Sequence, residues 1–166
     1  MMGDLVSVKE NGCLKAKFST LSYRPSQYET QAVREQFLTA SYEETRGSKE
    51  ADIFVLNTCT VTQKSDRLSR YLIRKFHREN PNAKIIVTGC YVERNRDEVA
   101  SLPCVSVTVL NQEKSEMVCL LENRASSDFQ REPFSKGRFT PLSISEFEGR
   151  SRAYIKIQDG CNHACS

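Results

Sequence analysis

Apolar and polar residues alternate along LKAKFSTL, residues 14–21, with Leu14, Ala16, Phe18 and Thr20 on one side. A period of two predicts a strand. After Pro25 the spacing turns helical: SQYETQAVREQFLT, residues 26–39, carries Val33, Phe37 and Leu38 inward, and Ser26 with Glu29 matches a capping box. Residues 41–45 read as a short edge strand. In ADIFVLN the run Ile53 to Leu56 is continuously apolar, as in a strand buried on both faces of a parallel sheet. Thr60 and Gln63 form a second capping-box pattern, followed by Val61, Leu68, Leu72 and Phe76 at helical spacing to Asn80-Pro81. AKIIVT, residues 83–88, is another buried strand and ends in Gly89-Cys90. A short helix near 95–101, a strand at 105–110 and a helix at 111–122 with Met117, Val118, Leu120 and Leu121 for packing complete the unit.

This order is strand–helix, several times over, without a repeat of fixed period. The fold class is α/β: a parallel sheet of four or five strands with flanking helices and right-handed crossovers. After Glu122 the sequence becomes rich in Ser, Arg, Pro and Gly, the composition of a linker or extended arm. Ala153 to Ile157 then alternates again and runs into a Gly-Cys turn. The organisation expected is an α/β domain at 13–123, a linker at 124–150, and the start of a second domain at 151–166.

Composition narrows the class. The 166 residues are 39% hydrophobic and 27% charged, values of a globular chain. No run approaches the roughly 18 apolar residues that span a bilayer, so no membrane partner is expected. MMGDLVSVKE lacks the basic and apolar regions of a signal peptide. The net charge of +3 does not by itself call for nucleic acid. Seven cysteines, an odd number and no secretion signal, argue for a reducing compartment, the cytoplasm, and for metal or catalysis over disulfides.

The cysteines fall in two kinds of place. Ligands of parallel α/β sheets bind outside the carboxyl ends of the strands. Cys59 lies just past the strand ending at Asn57, and Cys90 just past the strand ending at Thr88. On neighbouring strands, about 4.8 Å apart, these thiols share one site; the plainer reading is two unrelated buried thiols. Cys161 and Cys165 form CNHAC after Gly160, with His163 between them. Closely spaced thiolates hold iron–sulfur clusters, although from spacing alone an incidental tail serves equally well. Cys13 and Cys104 begin strands at the opposite edge, Cys119 sits on the packing face of the last helix, and all three read as structural.

NTCTVT (57–62), KSDRLSR (64–70), VTGCY (87–91) and YIKIQDGCNHACS (154–166) together resemble the radical S-adenosylmethionine methylthiotransferase family. The likeness is to the branch that modifies N6-threonylcarbamoyladenosine in tRNA, and it covers nearly the whole chain. Such proteins have an amino-terminal α/β domain, a radical-SAM partial barrel and a small RNA-binding domain. The resemblance implies two 4Fe-4S clusters and S-adenosylmethionine as cofactors, and tRNA as partner. It implies that Cys161 and Cys165 are the first two ligands of a C-x3-C-x2-C barrel cluster, whose third cysteine would fall beyond Ser166. That cluster cleaves S-adenosylmethionine to a radical that attacks a C–H bond of the base. Cys59 and Cys90 match two of three ligands of an auxiliary cluster carrying the sulfur to be inserted.

One departure matters. The family segment TLGCKVNQYE is here TLSYRPSQYE, residues 20–29: Ser22 replaces the glycine and Tyr23 the cysteine that is the first auxiliary ligand. Cys13 lies ten residues before Tyr23, about 33 Å along an extended strand, and does not substitute. With part of a barrel that needs roughly 200 residues or more, this chain is expected to be inactive alone.

The helix at 61–79 carries Lys64, Arg67, Arg70, Arg74, Lys75 and Arg78 against Asp66 and Glu79, a local excess of four positive charges. Phosphate contacts supply most nonspecific nucleic-acid affinity, and the resemblance implies tRNA contact at Lys64, Arg67, Arg70 and Arg74; a solvated helix face is the alternative. Three functions stay open here: a fragment of a tRNA methylthiotransferase, a non-catalytic tRNA- or partner-binding module, or a small protein holding metal on Cys59 and Cys90.

Overall fold

The computed structural model describes residues 13–21, 24–60, 62–123 and 142–145. The most apolar stretch decides the centre. Strand β3 (Ile53–Thr58) is buried at all six positions. On one side it pairs with β1 (Lys15–Thr20), which pairs outward with the two-residue β2 (Glu43–Glu44). On the other it pairs with β4 (Lys84–Gly89), which pairs with β5 (Val107–Val109). The sheet is parallel throughout, in the order β2-β1-β3-β4-β5. The exposed Glu43 and Glu44 occupy one edge, where charge discourages further strand addition.

Helices cover both faces. One layer of core joins Ala16, Val55, Ile86 and Val109 to Val33 and Phe37 of α1 (Arg24–Thr39) and to Met117 and Leu121 of α5 (Met117–Asn123). The other joins Phe54, Leu56, Ile85 and Val87 to α2 (Gln63–Glu79), α3 (Cys90–Arg94) and α4 (Arg96–Ala100). Phe76 of α2 stacks on Phe54 with ring centroids 4.6 Å apart and 2° between planes. Because the chain runs outward from β1 to β2 and then back past β1 to β3, the winding reverses between β1 and β3. The carboxyl ends of the strands at such a reversal form a crevice.

Several local expectations are corrected. Helix α1 starts at Arg24, so position 26 lies inside it and not at its N-cap; Pro25 stands in the first turn, where a missing N–H costs no hydrogen bond. Helix α2 is capped by Thr62, whose Oγ1 accepts from the Ser65 N–H at 3.2 Å. The predicted Thr60–Gln63 box does not form, and Thr60 stays in the loop that leaves the sheet. Leu38 and Leu68, expected inward, are 45% and 42% exposed. One residue turns a helix by about 100°; on α2, Ser69 and Ile73 join the expected Phe76 on the buried face. The span 111–122 divides into a 3-10 turn (Asn111–Glu116) and α5. The turn at Cys90–Arg94 was not expected, and β5 is shorter than 105–110. No helix among the described residues is long and apolar enough to cross a membrane.

Of the linker expected at 124–150, residues 142–145 are described, and they lie on α1. The Tyr28 hydroxyl donates to the Leu142 carbonyl at 2.7 Å, and Ser145 donates through its N–H and hydroxyl to Glu35 Oε2 at 2.8 and 3.0 Å.

Candidate functional site

The carboxyl edge of the sheet is built from buried polar residues. Thr20, Asn57 and Thr88 stand side by side on β1, β3 and β4 in register. Parallel partners in register face the same way, here towards α1. Asn57 is 3% exposed. Its side-chain N–H donates to Thr30 Oγ1 of α1 at 3.1 Å, and its Oδ1 faces Lys114 Nζ at 3.5 Å. Lys114 is 1% exposed and pairs with Glu29 Oε2 at 2.5 Å. A buried ammonium needs such a carboxylate, since desolvation otherwise outweighs any local contact. The hydroxyls of Thr20, Thr60 and Thr88 are buried at this edge with no hydrogen-bond partner among the described residues.

Just outside this row lie the two thiols. Thr58 pairs with Gly89 across β3 and β4, so Cys59 and Cys90 each follow one member of a paired couple. The Thr58 hydroxyl donates to the Thr88 carbonyl at 2.6 Å and ties the two strand ends together. Gly89 has φ 98°, and a Cβ there would meet the Thr58 carbonyl oxygen at 2.2 Å and Asn57 Oδ1 at 2.6 Å. Only glycine fits both that backbone and that approach. Cys59 is buried, while Cys90 opens α3 and is exposed. Burial, then the neighbouring Cys59, raises the Cys90 thiol above its ordinary range; the Lys114 ammonium pulls the other way and Glu29 adds to the rise. These four groups, from four separate segments, share one electrostatic neighbourhood.

The donor set is incomplete for a cluster held by three thiolates. Among the described residues no three metal-ligating side chains come together. Cys59 and Cys90 offer two thiols, and Tyr23, which the resemblance sets against a third ligand, lies outside the described residues together with Cys161 and Cys165. A three-thiolate cluster does not fit the described donors alone. The other cysteines are placed differently from one another. Cys104 packs against the core beneath α2 to α4, whereas Cys13 and Cys119 are exposed. The reading of Cys119 as a packing residue is therefore corrected: Met117 and Leu121 take the inward positions of α5.

The basic residues of α2 form a second feature. Arg67, Arg70, Tyr71, Arg74 and Arg78 line a groove of about 430 Å³. Lys64 is exposed near the start of the helix and does not line it. Arg70 is already engaged: its Nη1 donates to the Tyr91 hydroxyl at 2.9 Å and to Glu98 Oε1 at 2.8 Å. The Tyr91 hydroxyl donates to the same carboxylate at 2.8 Å. The Tyr91 hydroxyl, then Arg70, hold the Glu98 carboxyl below its usual range. Tyr71 and the Glu29–Lys114 pair escaped the sequence reading. Tyr71 carried a signal, lying four residues after Arg67 and three before Arg74 on one helix face. Glu29 and Lys114 carried none, being 85 residues apart.

Residues 15–111 match the family described as "Uncharacterized protein family UPF0004", a span that runs from the first residue of β1 to just past β5. The chain is 36% identical over 156 residues to the threonylcarbamoyladenosine tRNA methylthiotransferase MtaB of Bacillus subtilis, a match covering 90% of this chain and 34% of that protein. It is 40% identical over 151 residues to the protein of that name in Chlamydia pneumoniae, covering 90% and 33%. With the Aquifex aeolicus protein of that name it shares 36% over 158 residues, covering 92% and 38%. The chain thus spans about a third of the length of these curated relatives. The sheet that carries Cys59 and Cys90 at its edge is the matched region itself, and the chain belongs to the UPF0004 family.

Proposed function

We propose that this chain supplies the amino-terminal α/β domain of a radical-SAM tRNA methylthiotransferase acting on N6-threonylcarbamoyladenosine. The observation that carries this reading is the thiol pair at the carboxyl ends of β3 and β4, inside the matched residues 15–111. The names of the relatives supply the reaction class and tRNA as substrate. In this reading Cys59 and Cys90 are two auxiliary-cluster ligands, Cys161 and Cys165 are two ligands of the radical-SAM cluster, and α2 faces tRNA. Tyr23 occupies the position of the third auxiliary ligand and leaves that centre short of one thiolate. Two 4Fe-4S clusters and S-adenosylmethionine belong to the whole enzyme and to the cytoplasm, where thiolates stay reduced.

Anaerobic reconstitution with iron and sulfide tests the assignment. The Tyr23→Cys chain is expected to hold clearly more iron and sulfide than the unaltered chain. Cys59→Ser and Cys90→Ser, each in the Tyr23→Cys background, are expected to lose that gain. Equal iron in all four proteins would remove Cys59 and Cys90 as ligands.

A further inference from the structure

The outer face of α2 differs from an ordinary solvated helix face. Lys75 is paired with Glu79 at 3.7 Å and Arg70 with Glu98 at 2.8 Å, but Arg67, Arg74 and Arg78 make no ion pair among the described residues. These three and Arg70 line one groove together with Tyr71. From Arg67 to Arg78 the groove follows about 16 Å of helix axis, long enough to track a strand and not merely one anion.

Tyr71 is 53% exposed between these arginines. A lone exposed tyrosine needs no explanation. One placed inside a lining of guanidinium groups supplies what a nucleic-acid strand requires: positive charge for the backbone and a π face for a base. Duplex RNA offers phosphates but no free base face, so the aromatic ring favours an unpaired nucleotide. Arg70 walls the groove from behind, its guanidinium 5.9 Å from the centre of the Tyr91 ring as well as bonded to the Tyr91 hydroxyl. Tyr91 is 0% exposed and follows Cys90 directly. The wall of the groove and the thiol edge are therefore joined through one short helix.

We propose that this groove binds a single RNA strand, with phosphates on Arg67, Arg74 and Arg78 and one unpaired base stacked on Tyr71. The reading of tRNA as partner is needed only to say which RNA is met; the capacity to hold an unpaired strand stands on the groove. Tyr71 and Arg78 thereby join the contact surface, and Arg70 becomes its fixed wall.

Fluorescence anisotropy of the full chain with a labelled twelve-residue oligouridylate, between 50 and 200 mM salt, is the test, with inorganic polyphosphate as a competitor that has charge and no bases. Tyr71→Ala is expected to weaken oligouridylate binding about fivefold or more and to leave polyphosphate competition unchanged, while Tyr71→Phe retains binding. Arg74→Ala with Arg78→Ala is expected to weaken both ligands and to lower the salt slope for the RNA by about 1.4. Absence of binding at 50 mM salt overturns the proposal, as does equal affinity of Tyr71→Ala and the unaltered chain. Tighter binding of a duplex RNA that is indifferent to Tyr71 also overturns it, in favour of a general polyanion surface. Iron content after reconstitution is expected to be the same for Tyr71→Ala, so failure here and failure of the cluster assignment are read separately.

Discussion

The thiol edge and the α2 groove make opposite use of charge. At the edge, Lys114 is buried and matched to one carboxylate at 2.5 Å, in a row fixed by Asn57, Thr58 and Gly89. On α2, exposed arginines stand several to a groove, and among the described residues only Arg70 has an acidic partner. The first arrangement is assembled from residues 29 to 114, the second from a single helix. Position at the edge is a property of the whole fold; charge on α2 is a property of a short segment. The edge should therefore tolerate almost no substitution, and the groove should tolerate many without loss of structure.

Three perturbations sharpen that contrast. The largest effect is expected for Gly89→Ala, because the added methyl meets main-chain atoms on β3 that cannot move independently. Backbone strain and this clash together are expected to cost about 4 kcal/mol in urea denaturation, and a loss below about 1 kcal/mol would show the edge to be pliable. Lys114→Met comes next. It removes the Lys114–Glu29 contact at 2.5 Å, for an expected loss of about 3 kcal/mol, much of it recovered when Glu29→Gln is added. A double variant no better than the single one would mean that the pair is not the unit that matters. The smallest effect lies beside the groove. The Glu98 carboxyl is held low by Tyr91 and Arg70, so its contribution is present above the unfolded-state value of about 4.3 and is lost as pH falls through the lower folded value. Glu98→Gln is expected to cost under about 1 kcal/mol at pH 7, and its melting gap from the unaltered chain is expected to narrow as pH falls below about 4.3.

The parallel α/β sheet was legible because burial on two faces leaves continuous apolar runs such as IFVLN and KIIVT. The neighbouring positions of Cys59 and Cys90 followed from each lying two residues past such a run. Less legible was which residue faces inward at a helix turn. Ser69 outcompetes Leu68 for the sheet because its hydroxyl satisfies itself on the Ser65 carbonyl at 2.9 Å, a bond that hydrophobic periodicity does not register. The 3-10 turn before α5 was missed for a related reason. It carries Lys114 into the interior, and a buried lysine is expected only when its partner is known. Partners distant in sequence leave no local pattern, so the polar half of the edge could be found only in three dimensions.

The short contact between residues 142–145 and α1 has a mechanical meaning. Tyr28 and Glu35 are seven residues apart, about 10.5 Å of helix. Leu142 and Ser145 are three apart, a reach of up to about 10 Å of chain. The two rulers agree, so both ends of the segment reach their partners without stretching either. A pull applied to the chain after Ser145 is then borne first by α1 between Tyr28 and Glu35, before it can reach α5, the last helix of the sheet's own cover.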